Sequence, residues 1–144
     1  MQLLNNSKRV LIFLFKTLLN GFGLTELVPE SSMDAVTGMS GSGIAFVYQV
    51  IQALEDGGVA AGLSRDVASK FASQTALAAA KMVQQSDRDI QSLIDDVTSP
   101  AGTTFAGLQK ANEMGLSQAV QAAVQAAVQA AAERSYELSN ISKK

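Results

Sequence analysis

The segment from Asp95 to Thr104 concentrates the residues of this sequence that are best suited to bind a small ligand. It reads Asp-Asp-Val-Thr-Ser-Pro-Ala-Gly-Thr-Thr and stands directly before an apolar helical pattern. We expect Thr98 or Ser99 to cap the helix that follows, with Pro100 in its first turn, where a missing N–H costs nothing.

The backbone beyond this cap is the chemical reason to expect binding. The N–H groups near Gly102, Thr103 and Thr104 would have no intrahelical partner. Gly102 allows a ligand to approach the backbone closely, and the neighbouring hydroxyls add donors. This combination can hold a small anion such as a carboxylate or a phosphate. The alternative is a well-capped helix that binds nothing.

The composition excludes several kinds of chemistry. The 144 residues contain no cysteine and no histidine, so disulfides, thiol nucleophiles, histidine triads and histidine-based metal sites are absent. Any chemistry must therefore use carboxylates, lysine, hydroxyls, backbone amides or a group brought by a partner. We predict no metal site and assign no catalytic residue to this chain. The net charge of −2, without a long basic run, argues against nucleic acid as a partner.

The amino-terminal region raises the question of a membrane. Lys8 and Arg9 precede the apolar run from Val10 to Phe15, which superficially resembles a signal peptide. Lys16 interrupts the run, which is much shorter than the roughly 20 residues of a membrane span. We expect an amphipathic helix that needs a partner surface, no membrane association and a cytoplasmic location.

Two other motifs have structural explanations. The run from Gly38 to Gly43 has the order G-x-x-G-x-G, which is neither the dinucleotide fingerprint nor a P-loop. We expect it to break regular structure and to allow close helix packing. The acid pairs Glu55-Asp56 and Asp95-Asp96 are helical neighbours that point about 100° apart, so neither pair should converge on one atom.

Apolar periodicity without two-residue alternation predicts an all-α fold. Ser64 is expected to cap one helix, and Ser86 or Asp87 to begin the next. Gly57-Gly58 should fray a helix end, and Gly115 should break the chain. The predicted helices cover residues 9–20, 30–37, a long segment from Ile44, a segment after Ser64, a segment after Asp87, and residues 105–113 and 116–138. The predicted inward-facing residues are Val67, Phe71, Ala78 and Met82 in one helix and Ile90, Leu93, Ile94 and Val97 in the next.

The last helix has an unusual composition. Val120, Val124 and Val128 recur every four residues with alanines between them, and alanine is the best helix former. Because the period is four rather than 3.6 residues, the apolar stripe winds around the helix. We expect this helix to be buried between other helices and the chain to form a homodimer.

Together these segments resemble the carboxy-terminal domain of pyrroline-5-carboxylate reductase, from about Phe15 to Leu138. The order and spacing of several blocks carry the resemblance. These blocks are Asp34 to Gly43, Ala53 to Val59, Gln74-Thr75 with Ala79 to Val83, Val97 to Thr104, and the helix after Gly115.

The resemblance implies a multi-helix dimerisation domain that interleaves with a second copy. Such a reductase converts 1-pyrroline-5-carboxylate to L-proline, in proline biosynthesis, with hydride from NADPH or NADH. The family loop Thr-Ser-Pro-Gly-Gly-Thr-Thr holds the substrate carboxylate, which implies Ser99, Gly102, Thr103 and Thr104 as substrate-binding residues. Ala101 replaces the first family glycine, and alanine is disfavoured at positive φ.

The same resemblance divides the chain and defines its expected partners. Residues 1–32 form a helical and linker remnant, residues 33–139 the dimerisation and substrate-binding domain, and residues 140–144 a disordered tail. No Rossmann domain is expected in this chain, so it should bind no cofactor and be inactive alone. A separate Rossmann domain or a complete reductase could supply the missing half. The alternative is a non-catalytic homodimerising module or a regulatory remnant of the family.

Overall fold

The predicted all-α fold is confirmed. In a computed structural model, residues 2–141 are described, with side chains from residue 10 onward, and none of these residues forms a strand. The helices are α1 (Gln2–Leu19), α2 (Met33–Val36), α3 (Gly43–Ala60), α4 (Arg65–Gln85), α5 (Ile90–Asp96), α6 (Thr103–Glu113) and α7 (Leu116–Ile141), with a 3-10 turn at Glu30–Ser32 and a π turn at Thr37–Gly41.

Two compact units make up the chain, residues 1–33 and residues 34–144. The predicted domain limits at residues 32 and 139 stay predictions. Helix α7 continues through Asn140 and Ile141, and residues 142–144 of the predicted tail lie outside the described residues.

The first unit consists of α1, an extended segment and the 3-10 turn. Lys16 on α1 forms an ion pair with Glu26 at 3.1 Å, which ties the extended segment to the helix. Leu11 and Phe15 line an apolar groove that also contains Leu27. Within the described part of the chain, no helix combines the length and the apolar character that a bilayer crossing requires.

Helices α3 and α4 pack directly on each other in the second unit. Ala68 and Ala72 of α4 are buried, and a Cβ added to Gly58 of α3 would lie 3.3 Å from the Ala68 Cβ. Small residues at the contact therefore bring the two helices close together. The predicted cap is confirmed, because the Ser64 hydroxyl accepts a hydrogen bond from the Val67 N–H at 3.4 Å. Gly57, predicted at a frayed end, lies inside α3.

The run from Gly38 to Gly43 was predicted to break regular structure, but it continues the helical path. Residues 37–41 form a π turn that leads through Ser42 into α3. Gly38 is buried in this turn, and a Cβ added there would lie 2.5 Å from the Val128 carbonyl oxygen of α7. Glycine is therefore needed at position 38 for the close approach of α7. The sequence predicted that this run would allow close helix packing.

A single chain buries very little of itself. Among residues 10–141 only Gly38, Ala68 and Ala72 are buried.

The predicted inner faces of α4 and α5 are covered only in part, because Val67, Leu93 and Ile94 are half-buried and the other predicted residues are exposed. Phe71 and Met82 are 62% and 56% exposed, and Ile90 and Val97 are 62% and 65% exposed. In the described part of the chain, α4 packs mainly on α3 and the short α5, so much of its apolar surface is exposed. The sequence pattern identified apolar residues but could not tell which chain would cover them.

Candidate functional site

The candidate loop begins where α5 ends, and α5 is held at both ends by side chains. Asp89, rather than the predicted Ser86 or Asp87, caps the helix by accepting hydrogen bonds from the Ser92 N–H at 2.9 Å and the Ser92 hydroxyl at 2.8 Å. Arg88 reaches along the helix to the Asp96 carboxylate and to the Ser92 carbonyl. The hydrogen bond to Asp96 raises the pKa of Arg88 above its ordinary value.

We predict that the stabilisation of α5 by the Asp89 cap decreases at acidic pH. The hydrogen bonds from Ser92 lower the pKa of Asp89 below its ordinary 3.8. The cap therefore stabilises the folded chain above the unfolded pKa, and this stabilisation is lost as pH falls through the lower folded pKa. Asp89→Asn keeps a capping oxygen that does not titrate.

The measurement is the midpoint of thermal unfolding for parent and Asp89→Asn at pH values from about 5 to 3. The parent should lose stability relative to the variant as the pH falls. Parallel pH profiles would contradict a role for the Asp89 charge.

The loop itself starts with a residue that completes α5. The Thr98 hydroxyl donates to the Ile94 carbonyl at 2.7 Å, and the Thr98 N–H donates to the Asp95 carbonyl at 3.0 Å. Thr98 therefore satisfies the end of α5 and does not cap α6, contrary to the first alternative of the prediction.

A tight turn follows over Ser99 to Gly102. The Gly102 N–H donates to the Ser99 carbonyl at 2.9 Å, and Gly102 becomes the N-terminal cap residue of α6. Ser99 makes no capping hydrogen bond to α6, and Pro100 lies before the helix rather than in its first turn. The predicted cap is wrong because the turn makes Gly102, which has no side chain, the residue that precedes the first helical N–H groups.

The expected free donors are present one residue later than predicted. The first backbone hydrogen bond of α6 joins the Ala106 N–H to the Gly102 carbonyl at 3.1 Å. The N–H groups of Thr103, Thr104 and Phe105 therefore lack intrahelical acceptors, whereas that of Gly102 is used by the turn. The positive end of the helix dipole adds to the attraction for an anion.

The four predicted substrate-binding residues lie together in this loop. Gly102 and Thr104 are half-buried, and Ser99 and Thr103 are exposed. A Cβ added to Gly102 would collide with the Ser99 hydroxyl oxygen, so a larger residue there would require the Ser99 side chain to rotate away. Their role in binding stays a prediction.

Ala101 has the conformation that the family glycine would adopt more easily. Its φ is +57°, and no other non-glycine residue in the described part of the chain has a positive φ. The Cβ of an L-residue crowds the backbone in this region, which favours glycine.

The surroundings of the loop offer a groove but no metal site. A groove of about 630 Å³ between α5 and α6 is lined by Thr98 and Phe105, among others, but by none of the four predicted residues. No cluster of three metal-ligating residues occurs in the part of the chain that the structure describes.

Contrary to the prediction, the carboxylates of one acid pair converge on a single atom. Glu55 and Asp56 both accept hydrogen bonds from one Arg65 guanidinium nitrogen, at 3.0 and 2.6 Å. The hydrogen bond to Asp56, followed by that to Glu55, raises the pKa of Arg65. The long side chains overcome their angular separation on α3 and join its end to the start of α4. Asp95 instead accepts from the Gln91 amide at 2.9 Å.

Comparison with protein families gives a match over most of the second unit. The family described as pyrroline-5-carboxylate reductase dimerisation matches residues 30–134, which include the candidate loop. The pyrroline-5-carboxylate reductase of Synechocystis sp. is 46% identical over 105 residues, which are 73% of this chain and 39% of that protein. The reductase of Glycine max is 55% identical over 86 residues, which are 60% of this chain and 31% of that protein.

Solved structures of the same name share the fold. A pyrroline carboxylate reductase of Plasmodium falciparum, described with NADP bound, gives a TM-score of 0.69 at 36% identity, covering 77% of this chain and 45% of that one. The enzyme of Streptococcus pyogenes gives a TM-score of 0.71 at 33% identity, covering 83% and 46%. The chain thus spans less than half the length of these relatives.

Proposed function

We propose that this chain, which belongs to the pyrroline-5-carboxylate reductase dimerisation family, supplies the dimer interface and the substrate-carboxylate site of such a reductase. The complete reaction is the NADPH- or NADH-dependent reduction of 1-pyrroline-5-carboxylate to L-proline in proline biosynthesis. A cytoplasmic location forms part of this proposal. The free N–H groups at the start of α6, beside the hydroxyls of Thr103 and Thr104, are the observation that carries the carboxylate site.

The exposed apolar surface supports the homodimer. The π turn, α3 and α7 surround an apolar groove of about 400 Å³ that includes Ile44, Val47 and Val124. These side chains are 58%, 53% and 40% exposed in one chain. An interleaved second copy of the same helices would cover them with apolar groups of matching character, and burial of apolar surface is the main driving force of such association.

The loop favours a carboxylate on grounds of charge and hydrogen bonding. Three backbone donors lie free at the start of α6, and together with the positive end of its dipole they would attract a small anion. Both the substrate pyrroline-5-carboxylate and the product proline carry a carboxylate. No acidic residue stands between Thr98 and Lys110 to repel it.

The residues of this chain do not fit the nicotinamide cofactor. A dinucleotide site needs a glycine-rich turn between a strand and a helix. The glycine run here lies in a π turn between helices, and the backbone of α7 fills the space beside Gly38. We therefore assign no cofactor-binding residue and no catalytic residue to these 144 residues, and a separate Rossmann domain or a complete reductase is the proposed source of the hydride donor.

The direct test is an assay for NADPH- and NADH-dependent reduction of pyrroline-5-carboxylate. The purified chain is assayed alone and with an isolated Rossmann domain from a relative, after its folding has been checked by circular dichroism. We expect no activity alone and activity with the added domain. Activity of the chain alone would overturn the assignment of the cofactor to a partner.

A second prediction addresses the carboxylate site. Thr104→Ala removes one hydroxyl beside the free N–H groups and should weaken L-proline binding by about tenfold to a hundredfold, the usual effect of losing a hydrogen bond to a charged group. Calorimetric titration measures the dissociation constant.

Thr17→Ala is the matched control, because the Thr17 hydroxyl belongs to the first unit and donates within α1, to the Phe13 carbonyl at 2.8 Å. It should leave proline binding unchanged. Equal proline affinity of Thr104→Ala and parent would remove this hydroxyl from the site.

A non-catalytic association module is the second candidate, and the extent of exposed apolar surface favours it independently of the loop. Such a module would dimerise, with itself or with a complete reductase, but would not bind proline in a way that depends on Thr104. The same titration separates the two functions.

A further inference from the structure

Residues 24–28 of the first unit present a row of backbone groups, most of which have no partner in the described part of the chain. The segment belongs to no helix or turn and ends at Pro29, whose φ of −60° and ψ of 147° are extended. Only its Thr25 N–H has an acceptor, the Asn20 side-chain oxygen at 3.1 Å, and none of its carbonyls accepts a hydrogen bond. Such a row of free N–H and C=O groups is a template on which another strand can pair.

Helix α1 covers one side of this segment but is itself apolar all round. Leu11 and Leu27 lie on the two walls of the apolar groove between them. The six residues from Val10 to Phe15 are all apolar and cover every direction around the axis, because 3.6 residues make one turn. Phe13, which does not line the groove, is 69% exposed. Because a helix of this kind is normally buried, the first unit lacks a covering layer.

A further relative indicates what this layer belongs to. The pyrroline-5-carboxylate reductase 3 of Danio rerio is 43% identical over 131 residues, which are 91% of this chain and 44% of that protein. A match of 131 residues within a chain of 144 must begin at residue 14 or earlier. The dimerisation family matches only from residue 30. The end of α1 and residues 24–28 therefore correspond to a part of that reductase outside its dimerisation domain.

A sheet with helices on its faces can cover both features of the first unit. A helix that leads into an extended segment is the repeating unit of such α/β folds. The edge of the sheet would supply backbone partners to residues 24–28, and the neighbouring helices would bury the free side of α1. A purely helical partner could cover α1 but would offer no strand to the backbone groups.

We propose that the first unit is the docking surface for a Rossmann-type domain, with residues 24–28 added as a strand to the edge of its sheet and α1 packed on the face of that sheet. Main-chain hydrogen bonds give such strand addition its affinity, and the apolar side chains add burial. This inference rests on the proposed function, which assigns the nicotinamide cofactor to a partner of this kind.

The test is co-purification from cells that express the full chain, with an affinity tag, together with the Rossmann domain of the Danio rerio reductase. Two lengths of that domain are compared. The short form ends before the residues that match α1, and the long form continues to the start of its dimerisation domain. We expect the short form to co-purify, because the edge of its sheet is open. The long form should bind more weakly, because its own strand occupies that edge.

Two variants at one position separate strand pairing from side-chain effects. Glu26→Pro and Glu26→Ala both remove the ion pair with Lys16, but only proline removes the Glu26 N–H from the ladder. Glu26→Ala should retain the short form. Glu26→Pro should weaken its binding by about tenfold to a hundredfold, the usual effect of a buried hydrogen-bonding group left unpaired. Dilution of the purified complexes measures the dissociation constants, and circular dichroism checks that each variant is folded.

The outcomes distinguish this inference from the proposed function. Equal retention of the two forms by the parent, equal affinity of the Glu26→Pro and Glu26→Ala variants for the short form, or failure of the parent to retain it would each overturn the docking surface. None of these results alters proline binding that depends on Thr104 or activity with an added domain, by which the proposed function is tested separately.

Discussion

Val124→Asp should convert the proposed homodimer into monomers. Val124 lies in the groove formed by the π turn, α3 and α7, and the proposed second copy covers this groove. A carboxylate buried there would have no cationic partner, and an unpaired buried charge is strongly unfavourable. We expect the dimer dissociation constant to rise by roughly thirtyfold or more, as for substitution of a central interface residue.

The measurement is molecular mass by light scattering or sedimentation across micromolar concentrations. Gln125→Asp is the matched control, because it adds the same charge one residue later on α7, turned about 100° from the groove. It should leave the dimer intact. A monomeric parent chain, or two variants with the same mass as a dimeric parent, would contradict the placement of the interface.

Gly38→Ala should strongly destabilise the second unit. The added Cβ would lie 2.5 Å from the Val128 carbonyl oxygen and 3.3 Å from the Ala132 nitrogen. Both are backbone atoms of α7, so no side chain can rotate to make room, and the helix itself must move. Overpacking of this kind costs about 1–3 kcal/mol. Because α7 also forms one wall of the groove, dimer affinity should fall as well.

Denaturant unfolding at fixed protein concentration measures this effect. Gly107→Ala provides the control: Gly107 lies inside α6, and a Cβ added there meets nothing within 4 Å. Its substitution should stabilise the chain by up to about 1 kcal/mol through helix propensity. If Gly38→Ala and the parent unfolded at the same denaturant concentration, this result would contradict the close approach of α7 to position 38.

Local signals in the sequence predicted much of the fold. Ser64 is a capping residue followed by a helical pattern, and Gly115, with a φ of +72°, breaks the chain where predicted. Both features depend on a few neighbouring residues. The start of α6 was predicted less well, because the hydroxyls of the loop had several possible uses. Thr98 completes α5 instead of capping α6, and no local pattern distinguishes these two roles.

Features that depend on distant residues could not be predicted in this way. The glycines at 38 and 41 indicated a break, but the packing of α7 holds this segment in a continuous π turn. The inner face of α4 was predicted from apolar residues such as Phe71, which is 62% exposed in the single chain. At the candidate site, the anion-binding potential followed from residue types, whereas the positive φ of Ala101 required the structure.

The contact between Gly38 and Val128 has a consequence for the order of folding. The two residues are separated by about 90 positions, while the pairing of α3 with α4 joins neighbours in sequence. Local contacts form first, and distant ones must wait for the intervening chain to be ordered. The π turn therefore completes its packing only after α7 has been synthesised and has returned to it. Until then, the apolar side chains of the π turn and α3 that line the groove lack α7 beside them, and such exposed apolar surface is the kind through which folding intermediates aggregate.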